Sequence, residues 1–235
     1  MLIANLEWWE SSLRFFFPQE SRVVHPRASL LVLVWEHIRL VVISSTLTII
    51  IGVPVGIWIT RDSGKDFLPI VTDLTSFGQT FPPVAVLALA VPVLGFGLLP
   101  TVVALFLYGM LPVVRNTIAG LRAVPASLLD AAYGMGMSQR QTLFRVEIPL
   151  SAKVIIAGIR ISVIINIGTA MIGAVIGAGG LGSPIIAGLV QDNLAYILEG
   201  SVPAALLAVL ADQFLGNIEG TFTYSGGMNS LPLHS

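Results

Sequence analysis

Long apolar runs alternate with short polar breaks along most of this chain. Runs of spanning length occupy residues 37–60, 68–93, 98–118, 154–178 and 200–218, each close to or above the roughly 20 residues that a helix needs to cross the hydrocarbon of a bilayer. The pattern predicts an all-α, polytopic membrane protein with about five transmembrane helices. Pro82 and Pro83 interrupt the second run, and Pro92, Gly95, Gly97 and Pro100 loosen its exit. Backbone groups freed at such breaks must find partners in neighbouring helices rather than in lipid, so this segment is expected to face protein or a water-filled path.

Composition supports the pattern and removes several functions. The chain is 55% hydrophobic and 11% charged, with a mean hydropathy of +0.88; an average soluble domain is about 25% charged. After five crossings, 235 residues leave little for a separate catalytic domain. The net charge of −1 excludes a general basic surface for nucleic acid, and the absence of cysteine excludes disulfides, zinc ribbons and thiol chemistry. His25, His37 and His234 are dispersed, and no two carboxylates share helical spacing within a crossing. Neither a nucleophile–base pair nor a metal set can be read here, so catalysis is not expected. No Gly-x-x-x-x-Gly-Lys-Ser/Thr phosphate loop occurs either.

The basic residues suggest an orientation. Arg61 and Lys65 follow the first crossing, while Arg115, Arg122, Arg140, Arg145, Lys153 and Arg160 gather around the connector between the third and fourth. Both loops are therefore expected in the cytoplasm, with the N-terminus outside and residues 221–235 forming a short cytoplasmic tail. Residues 1–36 mix Trp8, Trp9, Phe15, Phe16 and Phe17 with charges of both signs and lack the order of a signal peptide. They are expected to lie as an amphipathic helix at the outer membrane face.

The connector 120–152 reads as a helical hairpin. Pro125 stands near a helix start, residues 126–133 favour helix, Gly134 and Gly136 allow a turn, Ser138 can cap a second helix, and Pro149 should end it. Within it, Asp130-Ala131-Ala132 is followed after three residues by Gly136 and after nine more by Val146-Glu147-Ile148-Pro149. This spacing resembles the coupling loop of permease subunits of ATP-binding-cassette (ABC) importers of type I architecture. Asp130 stands for the usual Glu, and Val146 and Ile148 are aliphatic swaps. Residues 78–100, 111–121 and 162–182 further resemble the osmoprotectant branch of these permeases, whose members import glycine betaine, choline, carnitine or similar solutes. The resemblance covers roughly residues 37–220 and leaves residues 1–36 uncovered, where relatives can carry a further helix.

What the resemblance implies is a permease domain at 37–220 in the bacterial inner membrane. Its partners would be ABC ATPase subunits holding ATP and Mg, a second permease, identical or related, and an extracytoplasmic solute-binding protein, with lipid around them. No cofactor is expected in this chain. Asp130, Ala131, Ala132, Gly134, Gly136 and Pro149 would couple the ATPase to transport: the alanines small because a partner surface approaches, and Gly136 bare because a side chain would obstruct the turn. Polar groups at membrane depth are costly, which nominates Gln79, Thr80, Pro82, Pro83, Asn166 and Thr169 for the translocation path; interhelical hydrogen bonding is their other reading. Gly173-xxx-Gly177 suits close packing, either between subunits or internal. Asp212 is expected to pair or snorkel. Trp58, Phe77, Phe81, Phe106 and Tyr108 are too scattered to read as an aromatic cage. The same architecture serves an amino acid or oxyanion importer equally well, and a non-transport scaffold or passive channel is the remaining alternative.

Overall fold

The computed structural model describes residues 6–26 and 28–222, and every regular element among them is helical. In chain order these are α1 (Leu6–Phe16), α2 (Leu30–Trp58), a 3-10 turn (Lys65–Phe67), α3 (Leu68–Thr80), α4 (Pro83–Leu94), α5 (Leu98–Arg122), α6 (Ala126–Gly134) and α7 (Gln139–Thr142). A π-helical segment (Leu143–Glu147), α8 (Ile148–Ala170), a second 3-10 run (Met171–Ile176), α9 (Gly182–Gln191) and α10 (Leu194–Thr221) complete it. Helices α2, α5 and α10 and the continuous stretch Gln139–Ile176 are each long and apolar enough to cross a bilayer. The expected tail, beyond residue 222, lies outside the described residues.

The second crossing differs from the other four. The run containing α3 and the run containing α4 meet at a bend of 97°. Pro82 and Pro83 supply no N–H to carry a helix through, and a residue before proline is driven out of the helical region. Phe81 and Pro82 accordingly both sit extended, at ψ 134°. Leu68 and Pro69, opening α3, share a cleft with Ile118 and Arg122 at the end of α5. Beyond the end of α4, the Gly97 N–H donates to the Ile176 carbonyl at 2.8 Å. The bent pair therefore runs from one end of the bundle to the other, as one crossing with an elbow.

Helix α5 is the axis of the bundle, packed against α2, α3, α4 and α8. Bare backbone at its seams lets the helices approach closely, which is how packing proceeds where lipid gives apolar side chains no reason to leave it. A Cβ on Gly52 would reach Val113 at 2.9 Å, and one on Gly56 would reach Thr117 at 2.7 Å. Gly52-xxx-Gly56 of α2 is thus a packing pair, and it is internal. Gly173-xxx-Gly177 is not such a pair. Gly173 lies in the 3-10 run against Thr101, and Gly177 is a left-handed turn residue with open space around it. Leu40, Val41, Val102, Leu105, Ile167 and Ala170 join α2, α5 and α8 in one core cluster.

At the end of the bundle where α2 begins, the N-terminal segment is docked. Leu13 and Val23 bury against Ala195 of α10, Asn193 Nδ2 donates to the Arg22 carbonyl at 2.9 Å, and the His25 N–H donates to the Glu199 carboxylate at 2.7 Å. Trp8, Phe15 and Phe16 of α1 are exposed. Helix α2 starts at Leu30 rather than at residue 37, because Leu30 and Leu33 already pack against Leu181 and Ala204. Helix α9 has no counterpart among the expected crossings; it is apolar but too short to span.

Candidate functional site

The connector 120–152 projects from the end of the bundle where α5 stops and α8 begins. Pro125 is the N-cap of α6. Gly136 turns the chain at φ +79°, and the Met137 N–H closes the turn on the Ala132 carbonyl at 3.1 Å. Ser138 then starts α7 with a reciprocal cap: its Oγ accepts from the Gln141 N–H, and its own N–H donates to Gln141 Oε1 at 2.8 Å. Such a box satisfies two backbone donors that a helix start leaves open.

Three expectations for this hairpin change. Pro149 does not end the second helix; the chain stays helical through the π segment into α8, with Pro149 in its first turn. A proline ring collides with the carbonyl four residues back in a straight α-helix, and the wider π turn immediately before it removes that conflict. Ala132 is buried by the chain itself, since α6 packs on α7 and the π segment, so its small size serves an internal contact. Gly136 has nothing within 4 Å of where a Cβ would stand, so its requirement comes from the backbone angle rather than from obstruction.

Asp130 and Ala131 are exposed, as are Gly134 and Gly136. Around them lie large apolar side chains that sequence reasoning did not single out: Leu128, Tyr133, Met135 at 76% exposure and Phe144 at 66%. Nothing in the sequence sets them apart, because apolar residues are spread through the whole connector. Apolar groups grouped on a projecting hairpin mark a contact surface.

Ion pairs brace the same end. Arg61, just after α2, grips Glu147 with both guanidinium Nη atoms, the Nη1–Oε1 bond at 2.9 Å. Arg160 of α8 binds both oxygens of Asp212 on α10, at 2.6 and 2.7 Å, and reaches Glu219 at 3.1 Å; Asp212 is therefore a paired residue, as expected. The exposed Lys65–Asp62 pair, at 3.0 Å, raises the Lys65 ammonium above its ordinary pKa through that hydrogen bond, an effect solvent screens heavily.

The residues nominated for a path fall into two groups, because α3 and α8 each pack on α5 rather than on one another. Gln79, Thr80, Pro82 and Pro83 are at the elbow. Gln79 Nε2 donates to the Tyr108 carbonyl at 3.4 Å, and the exposed Thr80 hydroxyl donates to the Ser76 carbonyl at 2.9 Å. Asn166 and Thr169 belong to α8. Thr169 is half-buried, while Asn166 is fully buried and donates to Ser44 Oγ at 3.3 Å and Ser45 Oγ at 3.1 Å, an interhelical tie between α8 and α2. The elbow holds a cavity of about 470 Å³ lined by Leu74, Phe77, Phe81, Leu89 and Leu107. Phe77 and Phe81 meet there with ring centroids 4.9 Å apart, Phe77 from the last turn of α3 and Phe81 from the residue that follows it.

Comparison with known proteins is consistent across sequence and fold. Residues 52–219 match the family described as binding-protein-dependent transport system inner membrane component. An osmoprotectant import permease protein of Salmonella typhimurium, OsmY, is 42% identical over 189 residues, covering 80% of each chain. The choline transport system permease protein OpuBB of Bacillus subtilis is 40% identical over 192 residues, covering 82% of this chain and 88% of its own. In fold, the chain is similar to a chain of the MetNI methionine ABC transporter in an inward-facing conformation. The TM-score is 0.73 at 23% identity, over 83% of this chain and 96% of that one.

Proposed function

The chain belongs to the family of binding-protein-dependent transport system inner membrane components, and from that premise we propose that it carries osmoprotectants of the glycine betaine, choline and carnitine kind into the cell. Such a component is a non-enzymatic membrane subunit that works with an ATPase and a solute-binding protein. The hairpin α6–α7 is the part of this chain that meets the ATPase, which holds Mg-ATP. What carries the reading is the exposure of Leu128, Tyr133, Met135 and Phe144, together with Asp130 and Ala131, on a hairpin joined without a helical break to α8.

In this mechanism, closure of two ATPases around ATP displaces the hairpins sideways, and the helical continuity from α7 through the π segment moves α8. The hairpin end faces the cytoplasm, where Arg122, Arg140, Arg145 and Lys153 are retained by the charge bias of membrane insertion, and the N-terminus lies outside. Solute passes beside the elbow, where Gln79 and Thr80 flank Pro82 and Pro83, the backbone groups freed by the prolines need protein or water rather than lipid around them, and Phe77 and Phe81 offer aromatic faces to a quaternary ammonium. Two rings do not make a cage, so selectivity belongs to the binding protein. Thr169 is a lesser path candidate, and Asn166 holds α8 to α2.

The test is ATP hydrolysis by the reconstituted permease, ATPase and binding protein, titrated with glycine betaine, choline and carnitine beside amino acids and oxyanions. Stimulation by a quaternary amine is the expected result. Stimulation by another solute replaces the cargo and keeps the architecture, and no stimulation by any of them rejects the transport reading.

A further inference from the structure

Arg61 stands on a stiff mount. Its N–H donates to the Trp58 carbonyl at 3.0 Å, and its own carbonyl accepts from Gly64 N–H at 3.0 Å and Lys65 N–H at 2.9 Å. The turn is closed so tightly onto α2 that a Cβ on Gly64 would overlap the Trp58 carbonyl. Any displacement of the guanidinium is therefore passed to the end of α2. Its acceptor stands at a junction of another kind: Glu147 is the last residue of the π segment and directly precedes α8. The Glu147 side chain is 5% exposed and that of Arg61 32%.

Little else joins the loop after α2 to the hairpin. Among the described residues, the hydrogen bonds between residues 59–64 and 126–147 are the two of this pair. A cavity of about 480 Å³ separates the hairpin from the loop, lined by Thr60, Asp62, Tyr133, Gln139 and Arg140. A two-pronged guanidinium–carboxylate contact fixes orientation as well as distance. With Glu147 buried, removing either partner strands a charge, so the pair resists separation.

We propose that Arg61–Glu147 is a strut that makes the end of α2 follow the hairpin, so that ATPase closure moves α2 and α8 together at this end, as their core packing and the Asn166 bonds hold them together deeper in the bundle. The inference rests on the coupling role proposed for the hairpin. Arg61 and Glu147 are positioning residues; neither touches solute or ATP.

The test uses the permease assembled with its ATPase in lipid nanodiscs. The chain has no cysteine, so spin labels at Ile51→Cys on α2 and Ser127→Cys on α6 report their separation before and after trapping with ATP and vanadate. In the otherwise unaltered permease the labels move together and the separation holds. In Arg61→Gln or Glu147→Gln the hairpin moves alone and the separation changes, while choline or glycine betaine uptake per ATP hydrolysed falls at least about tenfold. Exchanging the charges, Arg61→Glu with Glu147→Arg, restores both readouts. Arg61→Lys, which keeps charge but loses the fork, serves where the glutamine variants do not assemble and shows the same split in milder form. Labels that still move together in Arg61→Gln overturn the strut and leave the hairpin's role intact. A wild-type hairpin that engages no ATPase overturns both.

Discussion

Gly134 and Gly136 occupy one turn, yet the structure asks different things of them. Gly136 has φ +79° and open space around its Cα, so Gly136→Ala carries a purely conformational cost. Holding an L-residue in the left-handed region costs roughly 1–2 kcal/mol. Gly134 ends α6 with open space and no left-handed angle, so Gly134→Ala gains up to about 1 kcal/mol of helix propensity. Hydrogen exchange of the isolated permease measures the difference directly. The Met135 and Met137 amides close the turn on the Ala131 and Ala132 carbonyls at 3.0 and 3.1 Å, and a cost of 1–2 kcal/mol appears there as roughly 5–30-fold faster exchange in Gly136→Ala. Exchange in Gly134→Ala slows, by up to about fivefold at most. Gly136→Asn, which tolerates the left-handed region, recovers most of the protection, and in the assembled transporter it recovers uptake. Equal behaviour of the two alanine variants refutes the backbone argument. An intact Gly136→Asn hairpin that fails to support uptake gives Gly136 a second role, leaving room for the ATPase.

Three further outcomes follow from the packing. Gly56→Leu overpacks the α2–α5 seam, where a Cβ alone would already reach Thr117 at 2.7 Å; the loss of about 1–3 kcal/mol appears as a lowered melting temperature of the purified permease, whereas Gly168→Ala, facing open space, does not lower it. Asn166→Ala removes the bonds to Ser44 and Ser45, which costs about 0.6–1.7 kcal/mol of stability with KM for solute unaltered; a large change in KM moves Asn166 onto the path. Asp212→Asn lowers the melting temperature, and adding Glu219→Gln lowers it further, because Arg160 holds both carboxylates; identical melting of all three proteins rejects the α8–α10 brace.

The hairpin end also explains how a chain of low charge spends what charge it has. Arg61, Glu147 and Glu219 stand near the ends of their helices, Arg160 and Asp212 lie further in, and all five are paired. Pairing relieves the desolvation that an isolated charge near hydrocarbon incurs. Each pair joins a different set of helices, α2 to the start of α8 and α8 to α10, so this end of the bundle is tied by side chains that can only act when their helices hold register.

The amino-acid sequence by itself determined which segments cross the membrane, that a hairpin interrupts them, and where that hairpin is capped and turned. Those properties are local. Apolar runs reflect the exclusion of unpaired backbone from lipid, and Pro125, Gly136 and Ser138 act on the backbone within a few residues of themselves. The family resemblance was equally legible, since the spacing from Asp130 to Pro149 survives without any knowledge of neighbours. Tertiary structure decided the rest. That two prolines produce a bend of 97° rather than a mild kink, that Gly52 and Gly56 rather than Gly173 and Gly177 form a close seam, and that Ala132 turns inward all depend on what packs opposite. The bond from Arg61 to Glu147 joins residues 86 positions apart, a separation at which only the folded chain selects which charge meets which.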